Sequence, residues 1–212
     1  MKLYYAPGRR SLAAHIVLRE ADARFDLDRV DLNTLRTASG RDFRELNRRG
    51  GVPLLELDDG DTLTELPAVL AYLADQAPDS HLAPPPGPSM IRYHFHEWLA
   101  YIAGRLDAQF APLFEPTTPA HTQAVLRSNI NDAMLYLQEV LTDRAYLMGE
   151  SLSAADAYLF VVLQWCERFG LDLALWPNLD QFEWTVAHRP AVEATLAAEG
   201  LLDRRRHYRR TA

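Results

Sequence analysis

Gly50-Gly51-Val52-Pro53-Leu54-Leu55-Glu56-Leu57, followed by Thr64-Glu65-Leu66-Pro67, is the stretch whose reading decides the fold. Proline has no N–H to give to a sheet ladder, so Pro53 belongs at the first residue or the edge of the strand-like run that follows it. The main chain of Val52 then lies outside the ladder. With the Val52–Pro53 peptide cis, a state prolines adopt in tight turns, Val52 presents its N–H and C=O to an extended peptide. Glu65, opening an apolar helix at Leu66 and Pro67, sits beside that edge, where a carboxylate takes up a substrate ammonium.

Working outward, residues 3–6 read as a short strand stopped by Pro7-Gly8, and Ser11 begins the helical run Leu12, His15, Ile16, Leu18, Arg19. Residues 25–32 alternate apolar with charged side chains, which makes a second strand. A short helix over 42–46, a hairpin of 54–57 and 62–63 across Asp58-Asp59-Gly60-Asp61, and a helix over 66–76 complete the order β-α-β-α-β-β-α. Ala83-Pro84-Pro85-Pro86-Gly87-Pro88 is too rich in proline for a helix or a central strand, and marks a boundary. Beyond it the pattern predicts helices over 89–114, 119–142, 153–169, 177–188 and 190–198. Ser153-Ala154-Ala155-Asp156 reads as a capping box opening a buried helix, not as a catalytic Ser/Asp pair.

The 212 residues, 48% of them hydrophobic, suffice for two domains with a substantial core. A net charge of -7 argues against a general nucleic-acid binder, which needs a basic surface. The run Arg204-Arg205-Arg206-His207-Tyr208-Arg209-Arg210 is the exception and reads as a solvated tail. The single cysteine, Cys166, excludes an intrachain disulfide or a cysteine metal cluster. No apolar run reaches the ~20 residues of a bilayer span, and Met1-Lys2-Leu3-Tyr4-Tyr5 leads into a strand, so the expectation is a soluble protein of a reducing, cytoplasmic compartment.

Met1-Lys2-Leu3-Tyr4-Tyr5-Ala6-Pro7-Gly8, the run from Ser11 to Glu20, Val52-Pro53, Leu57-Asp58-Asp59-Gly60, Thr64-Glu65 and the run from Ser153 to Phe160 together resemble the bacterial beta-class glutathione transferases, almost end to end. The resemblance implies an α/β thioredoxin-like, glutathione-binding domain over 1–78, a linker over 79–88, an all-α domain over 89–212, and a homodimer. It further implies that Val52, beside a cis Pro53, pairs with the cysteinyl part of glutathione. Glu65, with the position of Leu66, would take the γ-glutamyl end, and the sulfur would lie near Ser11, where a helix N-terminus favours an anion.

The chain also departs from that family. Beta-class enzymes usually carry cysteine at the position of Arg10, lysine at Leu35, a small residue at Leu66, asparagine at Ala100 and histidine near Asp107. Without the cysteine, mixed-disulfide chemistry at that point is excluded, and Asp107 would place an adverse negative charge near a thiolate. Arg9 and Arg10 stand at a helix N-terminus, where a cation is disfavoured by about 0.3–1 kcal/mol unless an anion offsets it. Either they bind an anionic ligand or stabilise a thiolate, or they extend into solvent or pair with Asp107 or a glutamate. Ser11 either donates its hydroxyl to the thiolate or caps the helix, and Tyr5 is a second candidate donor. Arg9, Asp107, Phe110, Phe114 and Trp165 are candidates for an acceptor pocket, although aromatics at helical spacing also build cores. His94 and His96 lack the spacing of a metal pair, so no metal is expected.

These residues predict a glutathione-dependent transferase or thiol-addition or isomerisation enzyme, with Ser11 and Arg10 stabilising charge and glutathione as co-substrate. The electrophilic acceptor would be acidic, a carboxylate or a coenzyme A thioester, and no nucleic acid or membrane partner is expected. The alternatives are a non-catalytic binding or regulatory protein of the same fold, or a transcription-associated interaction protein.

Overall fold

The computed structural model describes residues 1–202, so the arginine-rich run at 204–210 lies outside the described residues. Strands β1 (Lys2–Tyr5), β2 (Asp26–Asp31), β3 (Arg36–Thr37), β4 (Leu54–Glu56) and β5 (Thr62–Leu63) form one sheet in the order β3-β2-β1-β4-β5. β1 runs parallel to β2 and antiparallel to β4, with Tyr4 opposite Leu54. That register sets Pro53 beside the end of β1. β3 is a two-residue edge strand that the alternation pattern does not reveal; it pairs Val30 with Thr37 and Asp31 with Arg36.

Side chains alternate across the sheet. Leu3 and Leu55 enter the main core with helices α1 (Ser11–Glu20) and α3 (Leu66–Gln76), while Tyr4, Val30 and Leu54 pack on the other face with Phe43 of the short helix α2 (Phe43–Leu46). With its crossover helix and terminal hairpin, this half is thioredoxin-like. Among the described residues the second half follows it with α4 (Met90–Tyr101), α5 (Ala108–Phe110), α6 (Ala120–Val140), α7 (Ala154–Arg168), α8 (Pro177–Ala187) and α9 (Pro190–Ala198). Among the described residues no helix is long and apolar enough to cross a membrane.

One continuous helix over 89–114 is not what the chain forms. After α4 the backbone widens into a π-helical turn, Ile102–Asp107, in which the Ala108 N–H reaches back to the Ala103 carbonyl. It narrows to a 3-10 turn, Ala111–Phe114, at Pro112, whose ring cannot continue an α-helical ladder. Apolar periodicity survives such a local change of pitch, which is why the pattern conceals it.

The proline-rich segment is stitched to both sides. The Ala154 N–H donates to the Leu82 carbonyl at 2.8 Å, and buried Arg92 of α4 donates to both oxygens of Asp75 and to the Pro84 carbonyl, each at 2.8 Å. The capping box forms as the sequence predicts. Asp156 is fully buried and accepts from the Leu147 N–H (2.7 Å), the Ser153 N–H (2.8 Å) and the Ser153 hydroxyl (2.6 Å). Burial pushes its carboxyl up to about 6 against the pull of those donors. Cys166, on the same helix, is buried, and desolvation pushes its thiol up to about 12.

Removing the carboxylate with Asp156→Ala leaves buried N–H groups without an acceptor and should cost about 3 kcal/mol. Urea unfolding checks this, and a loss under ~0.5 kcal/mol would show that the box contributes little.

Candidate active site

Between the sheet and the helices lies a cleft of about 560 Å³, lined from the sheet side by Val52, Pro53, Glu65 and Leu66 and from the helical side by Asp107 and Tyr158, with Arg10 between them. The Val52–Pro53 peptide is cis. Because β4 begins at Leu54, the main chain of Val52 stands outside the ladder, as Pro53 dictates. The Asn47 side-chain amide holds the loop from behind, donating to the Gly51 carbonyl at 2.8 Å.

Glu65 occupies the N-cap position of α3 with φ 63° and ψ 110°, a region that a non-glycine residue rarely enters. Backbone strain of this kind persists only where the surroundings enforce it, and it gathers at binding sites. Here it turns the carboxylate, 68% exposed, to the mouth of the cleft, where Arg49 pairs with it. Leu66 and Pro67, in the first turn of α3, line the cleft too.

Across the cleft the π-helical turn carries Asp107, which is 1% exposed, into contact with Arg10 and Tyr158. Arg10 Nε donates to Asp107 Oδ2 at 2.6 Å and Nη2 donates to Oδ1, a two-pronged pair that uses one edge of the guanidinium and leaves Nη1 clear of it. The Tyr158 hydroxyl donates to Oδ2 at 2.6 Å. Burial and then the Asp107 charge raise the Tyr158 hydroxyl above the usual phenol range, so it stays a donor. The Asp107 hydrogen bond raises the Arg10 pKa. The adverse charge expected of Asp107 is therefore matched by a cation inside the site.

Ser11 is a correction. It is fully buried, its hydroxyl accepts from the Ala6 N–H at 3.0 Å and donates to the Ala6 carbonyl at 3.2 Å, and it neither lines the cleft nor caps α1. It braces the turn before the helix. Tyr5 also stays out of the cleft, packing its ring against His15 at 6.0 Å. Phe110 and Trp165 are buried in an aromatic cluster with Phe114 and Phe169 and, like Arg9, lie outside the cleft lining. Of the acceptor-pocket candidates only Asp107 lines it. Sequence reasoning missed Tyr158, Asn47 and Arg49; Tyr158 meets Asp107 from 51 positions away, and no local pattern encodes such a pairing.

The turn that presents Arg10 is clamped at Gly8, whose N–H donates to Glu199 Oε2 and whose carbonyl accepts from Trp165 Nε1, both at 2.9 Å. Glu199 also bonds to buried His15 at 2.9 Å.

Family models of the glutathione S-transferase N-terminal and C-terminal domains match residues 10–76 and 101–190. The glutathione S-transferase GstA of Escherichia coli is 43% identical over 95% of this chain and 100% of its own length. This chain belongs to the glutathione S-transferase family. Among solved members, a sphingomonad glutathione S-transferase complexed with glutathione shares 43% identity with a TM-score of 0.92, and the bacterial beta-class enzyme of Sphingomonas chungbukensis shares 42% with a TM-score of 0.91. Each alignment covers 95% of this chain and 100% of the other. This glutathione S-transferase is thus beta-class-like, with Arg10 where the resemblance places a cysteine.

Arg10→Ala strands a buried carboxylate and should cost about 3 kcal/mol, while adding Asp107→Asn should recover part of that loss. Urea unfolding of both variants is the check; a double variant no more stable than the single one would speak against the pair.

Proposed function

We propose that the chain is a glutathione-dependent transferase that presents the glutathione sulfur as a thiolate to an electrophile. The observation that carries this reading is the convergence on one cleft of the unladdered Val52 main chain, Glu65 at the start of α3, and Arg10 held by Asp107. Membership of the family supports it.

In this reading an extended tripeptide lies along Val52, exchanging main-chain hydrogen bonds with it as an added strand would. Glu65 receives the γ-glutamyl ammonium in place of Arg49, and the free N–H at Leu66 receives the neighbouring carboxylate. The sulfur points to Arg10. An unperturbed thiol titrates near ~8.5 and has to fall for the thiolate to form at neutral pH. Arg10 supplies donors at Nη1 for that purpose, a part the sequence assigns to Arg10 and Ser11 together. Since Asp107 cancels the charge of Arg10, the effect is that of an aimed donor rather than of a free cation.

The protein is further proposed to act in the cytoplasm as a homodimer, a reading supported by exposed Met90, Ile91 and Tyr93 at the start of α4. Light scattering should return twice the 24.0 kDa chain mass, and a monomer would refute the dimer.

Calorimetry should detect glutathione binding, and Glu65→Ala should weaken it about tenfold, the usual loss of a charged hydrogen bond. Absence of binding in the unaltered chain would favour a non-catalytic protein. The role of Asp107 has a test of sign. If it aims Arg10, Asp107→Asn raises the pKa of the bound thiol by about one unit, even though it removes a negative charge; a fall would mean that net charge, not aim, governs the thiolate. Thiolate absorbance against pH decides between them.

A further inference from the structure

Neutralising Arg10 removes it as the anion site for an acidic acceptor, and two other arginines, Arg9 and Arg168, have no such partner among the described residues. The guanidinium carbon of Arg9 lies 4.3 Å from the centre of the Phe114 ring, and that of Arg168, at the end of α7, lies 5.2 Å from the same centre. Attraction to a ring face holds a guanidinium in place but leaves its charge whole. Among the described residues neither Arg9 nor Arg168 is in an ion pair, whereas Arg10, Arg49, Arg92 and Arg189 each have a carboxylate. Exposed Glu115 acts on Arg9 only from beyond ion-pair distance. Arg9 is moreover half-buried, and burial, Arg168 and Arg10 all lower its pKa from the usual arginine value. Two like charges gathered on one ring, one of them partly out of water, make a site that an anion would relieve.

The surroundings make it rigid. Phe114 meets Trp165 edge-on at 5.4 Å and Phe169 at 4.9 Å, and Trp165 is itself tied to the Gly8 carbonyl. Arg9 is one residue from Arg10, and Phe114 two from Pro112, both of which line the cleft. Beside Arg10, as the sequence sets it, Arg9 also meets Arg168, a residue distant in sequence.

We propose that Arg9 and Arg168, both set against the Phe114 ring, are the anion subsite of the acceptor, and that its preferred acceptors are planar electrophiles carrying a carboxylate. This rests on the glutathione reading above. The carboxylate is taken by the two guanidiniums while the reactive carbon projects toward Arg10. For an aryl halide the thiolate sulfur forms the new C–S bond as the C–halogen bond breaks, and the halide leaves with the bonding pair; the thiol proton has already passed to solvent.

The test compares chlorodinitrobenzoate with uncarboxylated chlorodinitrobenzene. The ratio of their kcat/KM values should fall about tenfold in Arg168→Gln and in Arg9→Gln, as loss of a charge-assisted contact requires, and raised salt should shrink it in the unaltered enzyme. Arg168 is exposed, so that variant decides the matter if Arg9→Gln misfolds. Calorimetry with unreactive dinitrobenzoate, without glutathione, reads the subsite alone: about tenfold weaker binding by Arg168→Gln supports it. An unchanged selectivity ratio, or equal binding of dinitrobenzoate and dinitrobenzene, overturns it. Dinitrobenzoate binding that depends on Arg168 in a protein that does not bind glutathione would sink the transferase reading and leave the anion subsite standing.

Discussion

Helix α1 has almost no face for water, being buried from Ser11 to Leu18, and everything else is arranged around satisfying it. A helix apolar on all sides has to be enclosed, and this one is enclosed by β1, α3, α7 and α9. The sheet and the helices therefore share one continuous hydrophobic core rather than meeting across a polar seam. Because α1 cannot shift without disturbing both halves, the turn in front of it is fixed as well. Glu199 and Trp165 hold Gly8 from opposite sides, Ser11 holds Ala6, and Arg10 emerges from that turn at a set place.

The same enclosure explains how a carboxylate is tolerated at Asp107. A charge taken from water is costly unless it is paired and hydrogen-bonded, and here two donors come from the Arg10 cation and one from Tyr158. Acceptor and donors arrive from three different segments: Asp107 from the widened end of α4, Arg10 from the turn after β1, and Tyr158 from the interior of α7. The widening matters because π-helical turns of this sort redirect side chains, and functional sites use them often. Glu65 shows the same economy on the opposite wall, where an unfavourable backbone angle sets the direction of a side chain.

What could be read from the sequence was what local chemistry encodes. Pro53 cannot join a ladder, Ser153 and Asp156 cap each other within one turn, and Asp58-Asp59-Gly60-Asp61 can only reverse the chain; all three behave in the fold as their residue types require. Glu65 and Val52 were found the same way, with the family resemblance supplying their ligand. What escaped was of two kinds. β3 and the π-helical turn are too short or too gentle to disturb a periodic pattern. Which partner Arg10 takes, among the solvent, Asp107 or a glutamate that the sequence left open, and which way Ser11 turns both depend on which segments meet: Arg10 reaches Asp107 across 97 positions, and Ser11 turns inward because Ala6 offers both a donor and an acceptor. A residue type announces what it can bond to, but only the packing decides which bond is made.

Cys166 lies sealed inside α7 with its sulfur protonated far beyond neutral pH. For a polypeptide proposed to work among alkylating compounds, this amounts to chemical self-protection. It is the only thiol of the chain, and as a buried thiol rather than a thiolate it is a poor nucleophile, so reactive molecules entering the cleft meet the sulfur of the diffusible tripeptide and none belonging to the catalyst.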